Sequence, residues 1–169
     1  WICLLKTISQ IFKERGGYKE IGSIKGSDML GWEYDGPYDN LAAQKELGGY
    51  PYVDDNLKKK SINASNSHII IDPGKDGTGN DIVVAGEGTG IVHMAPGCGD
   101  IDHTIGKKNN LINIAPLDDE SKFIEKFDWL TGMSATDKNT TIAIIEDLKK
   151  RNLLIYAEEY PHVYPHCWR

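Results

Sequence analysis

The stretch Gly88-Thr-Gly-Ile-Val-His-Met-Ala-Pro-Gly-Cys-Gly-Asp-Ile-Asp102 decides how the chain is read. Thr89 to Met94 alternate as a strand does, with Thr89, Ile91 and His93 on one face and Gly90, Val92 and Met94 on the other. Ala95 to Gly99 is dense in Pro and Gly and predicts a tight turn. Asp100 or Ile101 then opens a short helix with Asp102 in its first turn. A strand ending in His, a compact turn and a helix beginning with Asp bring imidazole and carboxylate to one pocket rim. Such a rim suits a small cationic group. Taken alone, the run is also compatible with a structural histidine and an aspartate placed at the positive end of a helix. It is a poor dinucleotide fingerprint, because the third glycine is misplaced and no helix follows Gly90.

Working outward, Trp1, Leu4, Leu5, Ile8, Ile11 and Phe12 recur at helical spacing, and Gly16-Gly17 ends that helix. Tyr18–Ile24, Leu30–Tyr34, His68–Asp72, Asp81–Ala85 and Leu153–Ala157 predict short strands. Residues 39–66 are polar and irregular and read as an insertion or long surface loop. Asp137 caps a helix to about Arg151 with Ile142, Ile145 and Leu148 inward, and Asn152 ends it. Asn109-Asn110 suits the end of the helix that contains Asp102, since Asn tolerates the left-handed conformation. By itself the pattern supports a mixed domain with several short strands and three helices.

Composition agrees with one globular domain over residues 1–169, at 40% apolar and 26% charged residues. No apolar run approaches a membrane span, and Trp1–Leu5 lacks the basic start and cleavage site of a signal peptide. Cys3, Cys98 and Cys167 are odd in number and far apart, as expected of reduced cytoplasmic thiols. The net charge of −6 argues against strong binding of a phosphate backbone by the whole surface. Basic runs occur at Lys58–Lys60, Lys107-Lys108 and Lys149–Arg151, each explicable as a solvated face. Lys107 and Lys108 have the best claim to contact a nucleic acid, because they follow the proposed pocket by one helical turn. Asp118-Asp119-Glu120 does not have calcium-loop spacing. His93, Cys98 and His103, or His162, His166 and Cys167, lack the paired spacing of a zinc site, and no metal is expected. Cys98 as a nucleophile with His93 or His103 as base is a rival reading.

The run Gly88 to His103, followed by Ile105-Gly-Lys-Lys108, resembles the editing (connective-peptide) domain of isoleucyl-tRNA synthetases, in the class I aminoacyl-tRNA synthetase family. So do Lys25-Gly-Ser-Asp-Met-Leu-Gly31 with Tyr34, the stretch Phe127–Met133, and the end Tyr160-Pro-His-Val-Tyr-Pro-His-Cys-Trp-Arg169. Valyl enzymes usually carry Lys where His93 stands, and leucyl enzymes read differently after the glycines, so valyl editing is the near alternative. The resemblance implies a mainly β fold, a closed β-barrel core with peripheral helices. It implies hydrolysis of valine mischarged on tRNA(Ile). Asp102 would be the key catalytic-site residue, binding the α-ammonium. His93 would line the side-chain pocket, with Gly88, Thr89, Gly90, Ala95, Pro96 and Gly97 around the substrate. The implied partners are the valine-bearing 3′ end of tRNA(Ile) and the catalytic core of a parent synthetase. No cofactor is implied for this domain, whereas ATP and magnesium belong to the parent's synthetic site. The family's Thr-rich segment and its "HIGH" and "KMSKS" signatures are absent. The chain therefore reads as an excised piece starting after the Thr-rich segment, and a non-catalytic aminoacyl-adenosine-binding fragment is the alternative.

Overall fold

Local hydrogen-bonding chemistry sets the helices. The computed structural model describes residues 12, 18–84, 89–157 and 159. Helix α1 (Asp55–Lys59) starts where the Asp54 carboxylate accepts from the Asn56 and Leu57 amides, at 2.8 and 3.1 Å. Helix α2 (Asp100–Lys108) begins after an extended Gly99 and ends at Asn109. Asn110 there takes a left-handed φ of 53°, and the Leu111 amide turns back to the Gly106 carbonyl at 2.8 Å. Helix α3 (Lys138–Lys150) is capped by Asp137, which accepts from the Asn139 amide at 2.9 Å, and Asn152 leaves it at φ 56°. Asp137→Ala removes the acceptor for that amide, so unfolding stability should fall by about 1 kcal/mol. A urea titration would register this as a lower midpoint at unchanged slope. Short 3-10 turns at Gly26–Met29, Ala42–Lys45, Ala64–Asn66 and Asp128–Leu130 complete the helical elements of the described residues.

The expected closed β-barrel is not what forms. Among the described residues there is no strand and no sheet, only isolated bridges: Glu33 with Ile69, Tyr50 with Ile114, Lys75 with Asp81, Leu117 with Phe123, and Lys122 with Ser134. A barrel needs every strand paired along its length on both sides. Here each extended segment runs out of partners. Leu30–Tyr34 meets residues 68–70 at one bridge, through Gly31 to Ile70, Ile70 to Trp32 and Tyr34 to His68 bonds. Pro73, which has no N–H to donate, follows soon after. The hairpin at Lys75–Asp81 uses its bonds inside its own turn, where the Asp76 carboxylate accepts from Thr78 and Asn80. Tyr18–Ile24 and Leu153–Ala157 are irregular, with Ile21, Leu153 and Ile155 exposed. The helix expected near the start lies, apart from Phe12, outside the described residues, as do Ala85 and the end from Tyr160.

Apolar burial is instead carried by turns and short helices. One cluster joins Leu41, Ala43, Phe127 and Leu130, with Tyr38, Tyr50, Phe123 and Ile144 packed on it. The Phe127 ring lies 5.8 Å from Phe123 and 6.4 Å from Tyr50, tilted against both. A second cluster joins Leu57, Ala64 and Ile112. Ile114 packs on both, which makes residues 112–115 the seam of the molecule. Residues 39–66, expected as a surface loop, thus supply Leu41, Ala43, Leu57 and Ala64 to the interior. Of the residues expected inward on α3, Ile145 and Leu148 are half-buried but Ile142 is exposed, while Thr140 is buried and Ile144 meets the core. Its far end is tied down by Arg151, which donates to the Pro37 carbonyl at 2.6 Å, pairs with Asp147 and covers the Tyr38 ring.

Candidate functional site

The turn after Met94 forms as the sequence predicts. The Cys98 amide donates to the Ala95 carbonyl at 2.9 Å, and residues 96–98 turn. Its position is dictated by two glycines. A Cβ on Gly97 would stand 1.9 Å from the Ile114 carbonyl oxygen, so the turn lies directly on the seam. A Cβ on Gly106 would stand 2.7 Å from Pro96 Cβ, so α2 lies directly on the turn. The turn lies on the seam backbone at Gly97 and the Pro96 ring lies on α2 at Gly106, approaches too close for any side chain at either glycine.

Asp102 closes this assembly. The Ala95 amide donates to Asp102 Oδ2 at 3.0 Å, across seven residues and partly buried. Oδ1 takes no hydrogen bond among the described residues. One carboxylate oxygen is therefore fixed and the other is available to a donor, with Asp100 adding a second negative charge to the same helical turn. His103 Nδ1 lies 3.2 Å from the Pro96 carbonyl and holds the other side of the turn. Asn113, which no sequence pattern singles out, has its Oδ1 buried beside Gly97 with no hydrogen-bond partner among the described residues. Only tertiary packing brings it to Ala95–Gly97.

The remaining candidate residues separate. Thr89 and Gly90 do not continue a strand. They turn, with Gly90 at φ 76° and the Thr89 hydroxyl donating to the Ile91 carbonyl at 2.9 Å. They border an open apolar cleft of about 250 Å³ with Ile82, Val83, Val84, Ile91 and Val92. His93 lies on the extended segment between this cleft and the Asp102 turn, exposed and without a hydrogen-bond partner among the described residues. Gly88 lies outside the described residues. Lys107 and Lys108 are exposed at the opposite end of α2 from Asp102. A larger hollow of about 500 Å³, bordered by Leu41, Glu125, Lys126, Asp128 and Thr131, is unrelated to this run.

Cys98 does not have the electrostatics of a nucleophile. Burial raises its thiol pKa, and the Asp102 carboxylate raises it further. At neutral pH the thiolate fraction is below that of a free thiol, so alkylation should be slow and should set in at higher pH than usual. Asp102→Asn removes the smaller cause only, and iodoacetamide kinetics should show a rise of about a fewfold. A faster-than-free rate in the unaltered protein would revive the nucleophile.

Curated relatives align along this whole stretch. The isoleucine-tRNA ligase of Methanocaldococcus jannaschii is 34% identical over 176 aligned residues, covering all of this chain and 14% of the relative. That of Aquifex pyrophilus is 33% identical, covering all of this chain and 29% of the relative. The chain belongs to the isoleucine-tRNA ligase family. The ligase of Sulfurihydrogenibium reaches 47% identity over 91 residues, 53% of this chain and 10% of that ligase. The chain thus spans under a third of the length of these relatives. No family model matches, and no solved structure matches. No helix among the described residues is long and apolar enough to cross a membrane.

Proposed function

We propose that this stretch of an isoleucine-tRNA ligase is its proofreading part, hydrolysing valine wrongly esterified to tRNA(Ile). The observation that carries the reading is the Asp102 carboxylate, fixed through one oxygen by the Ala95 amide and free at the other. An α-ammonium offers only donors and positive charge, and a half-engaged carboxylate answers both. The need for a second site is energetic. One methylene discriminates by about 1–3 kcal/mol, a general figure for which isoleucine enzymes themselves are the standard example. On this reading Asp102 anchors the substrate, Ala95–Gly97 set its distance from α2, and His93 with Thr89 and Gly90 faces the amino-acid side chain. Hydrolysis needs a positioned water and donors for the tetrahedral oxyanion. The raised Cys98 pKa supports attack by water over attack by thiolate.

The implied partners are the 3′ end of tRNA(Ile) and the catalytic core of the parent ligase, working in the cytoplasm. The stretch itself needs no cofactor, while ATP and magnesium serve the parent's synthetic site. The test is deacylation by the chain of valyl-tRNA(Ile) against isoleucyl-tRNA(Ile). The valyl ester should disappear at least about tenfold faster. Equal rates, or binding of a valyl-adenosine analogue without turnover, would overturn the hydrolytic reading.

A further inference from the structure

Two adjacent residues of α2 grip two adjacent residues of the turn. The Ala95 amide donates to Asp102 Oδ2 at 3.0 Å. The Pro96 carbonyl oxygen lies 3.2 Å from His103 Nδ1. Consecutive residues of a helix project about 100° apart, so the two side chains reach the turn from different sides. Both stand in the first turns of α2, where the His103 amide donates to the Gly99 carbonyl at 2.8 Å. Their roles are not interchangeable. A carboxylate accepts and takes the amide, whereas a carbonyl also accepts and needs a ring N–H. Pro96 has no N–H, so its carbonyl is the one polar backbone group by which it can be held.

The close packing around the turn leaves its orientation open. The approaches of Gly97 to Ile114 and of the Pro96 ring to Gly106 limit how near the backbones come. Contacts of that kind do not fix the rotation of a peptide plane, whereas a directional hydrogen bond at each end does. The Asp102 bond fixes the peptide that enters Ala95, and the His103 bond fixes the peptide that leaves Pro96. The second bond also fixes the imidazole. A carbonyl at Nδ1 selects the Nδ1–H tautomer of the neutral ring, and Nε2 is left without a partner among the described residues. His93 has no comparable bond among the described residues.

We propose that His103 is a positioning residue of the Asp102 site, holding the Pro96 carbonyl through Nδ1–H so that the Ala95–Gly97 turn keeps one orientation towards the Asp102 carboxylate. The proposal rests on the proofreading reading and adds the group that orients its turn. Asp102 itself holds the ammonium, so His103 acts on where the ester stands and not on how tightly the amine is bound. Misplacing a reacting group by about 1 Å costs on the order of a hundredfold in rate. The effect of His103 therefore falls on kcat, with KM little changed.

The test compares His103→Asn, His103→Gln and His103→Ala in the full chain. Asparagine Nδ2 and histidine Nδ1 are both bonded to Cγ, so asparagine keeps a donor where the Pro96 carbonyl needs it. Glutamine places its donor one bond further out, and alanine has none. In deacylation of valyl-tRNA(Ile), His103→Gln and His103→Ala should lose about tenfold or more in kcat with KM within about twofold, while His103→Asn should stay within about threefold of the unaltered kcat. Two readouts do not need activity. Nitrogen NMR should show the Nδ1–H tautomer of His103, and hydrogen exchange at the Ala95 and Cys98 amides should quicken in His103→Gln but not in His103→Asn. Urea titration identifies any variant that fails to fold. An Nε2–H tautomer, an equal loss in His103→Asn and His103→Ala, or a loss confined to KM overturns the role of His103. Hydrolysis indifferent to His103 sinks that role alone. No hydrolysis by the unaltered chain, with the tautomer and the exchange pattern as expected, sinks the proofreading reading and leaves His103 as the holder of the turn.

Discussion

Gly97→Ala should destabilise the protein by about 3 kcal/mol or more, at the upper end of overpacking costs, and abolish any activity of the Asp102 turn. The added methyl would stand 1.9 Å from the Ile114 carbonyl oxygen and 2.7 Å from Asn113 Oδ1. Neither neighbour is free to retreat. The Asn113 carbonyl accepts from the Tyr50 amide at 3.0 Å, and the Ala115 amide donates to the Tyr50 carbonyl at 2.9 Å, so the seam is bonded along its far side. The Ile114 side chain packs into both buried clusters. Strain at Gly97 therefore passes into the core instead of dissipating in a loop. Urea titration should show the midpoint fall with little change of slope. Gly99→Ala is the control, since a Cβ there would stand in ordinary contact at 3.6 Å from Asp102. A Gly97→Ala protein as stable as Gly99→Ala would mean that the turn does not lie on the seam.

On the proofreading reading, Asp102→Asn should separate holding the turn from binding the substrate ammonium. The amide oxygen of asparagine still accepts from Ala95, so stability should hold within about 1 kcal/mol. The negative charge is gone, and a charge-assisted bond to an ammonium is worth about 1.5–3 kcal/mol, so deacylation of valyl-tRNA(Ile) should fall roughly 10- to 150-fold. Asp102→Ala should lose the same activity and, in addition, about 1–3 kcal/mol of stability, because the part-buried Ala95 amide loses its acceptor. An Asp102→Asn protein that deacylates at the unaltered rate would restrict Asp102 to holding the turn.

What the sequence revealed and what it hid divide along a physical line. Asp137, Asn110 and Asn152 were legible because caps and left-handed exits are decided by a few adjacent residues. The turn over Ala95–Gly99 and the helix start at Asp100 were legible for the same reason, whereas the bond from the Ala95 amide to Asp102 was seen only in the structure. Strand pairing is not local. Leu30–Tyr34 and His68–Asp72 have the composition of strands, yet they share one bridge, because a ladder depends on what lies opposite. Residues 39–66 misled because Leu41, Ala43, Leu57 and Ala64 are scattered singly, without a period, and only tertiary packing gathers them. Ile142 misled by helical phase: it lies at the solvent edge of α3, while Ile144 meets the core and Ile145 and Leu148 are half-buried. Of the site, the Ala95–Gly99 turn and the helix start at Asp100 were readable, whereas Asn113 was not.

The charges of helix α2 turn an ordinary polarity around. The start of a helix carries about half a positive charge and commonly attracts anions. Here Asp100 and Asp102 place two carboxylates over that start, while Lys107 and Lys108 place two ammonium groups over the opposite, partly negative end. The side-chain charges outweigh the backbone at both ends, so an approaching molecule meets an inverted dipole. An esterified strand with phosphates along its length and one ammonium at its tip has the matching polarity. On the proofreading reading such a strand would align along α2 with its ammonium at the Asp102 end, and a strand whose terminal amine has been acylated should lose that directional preference.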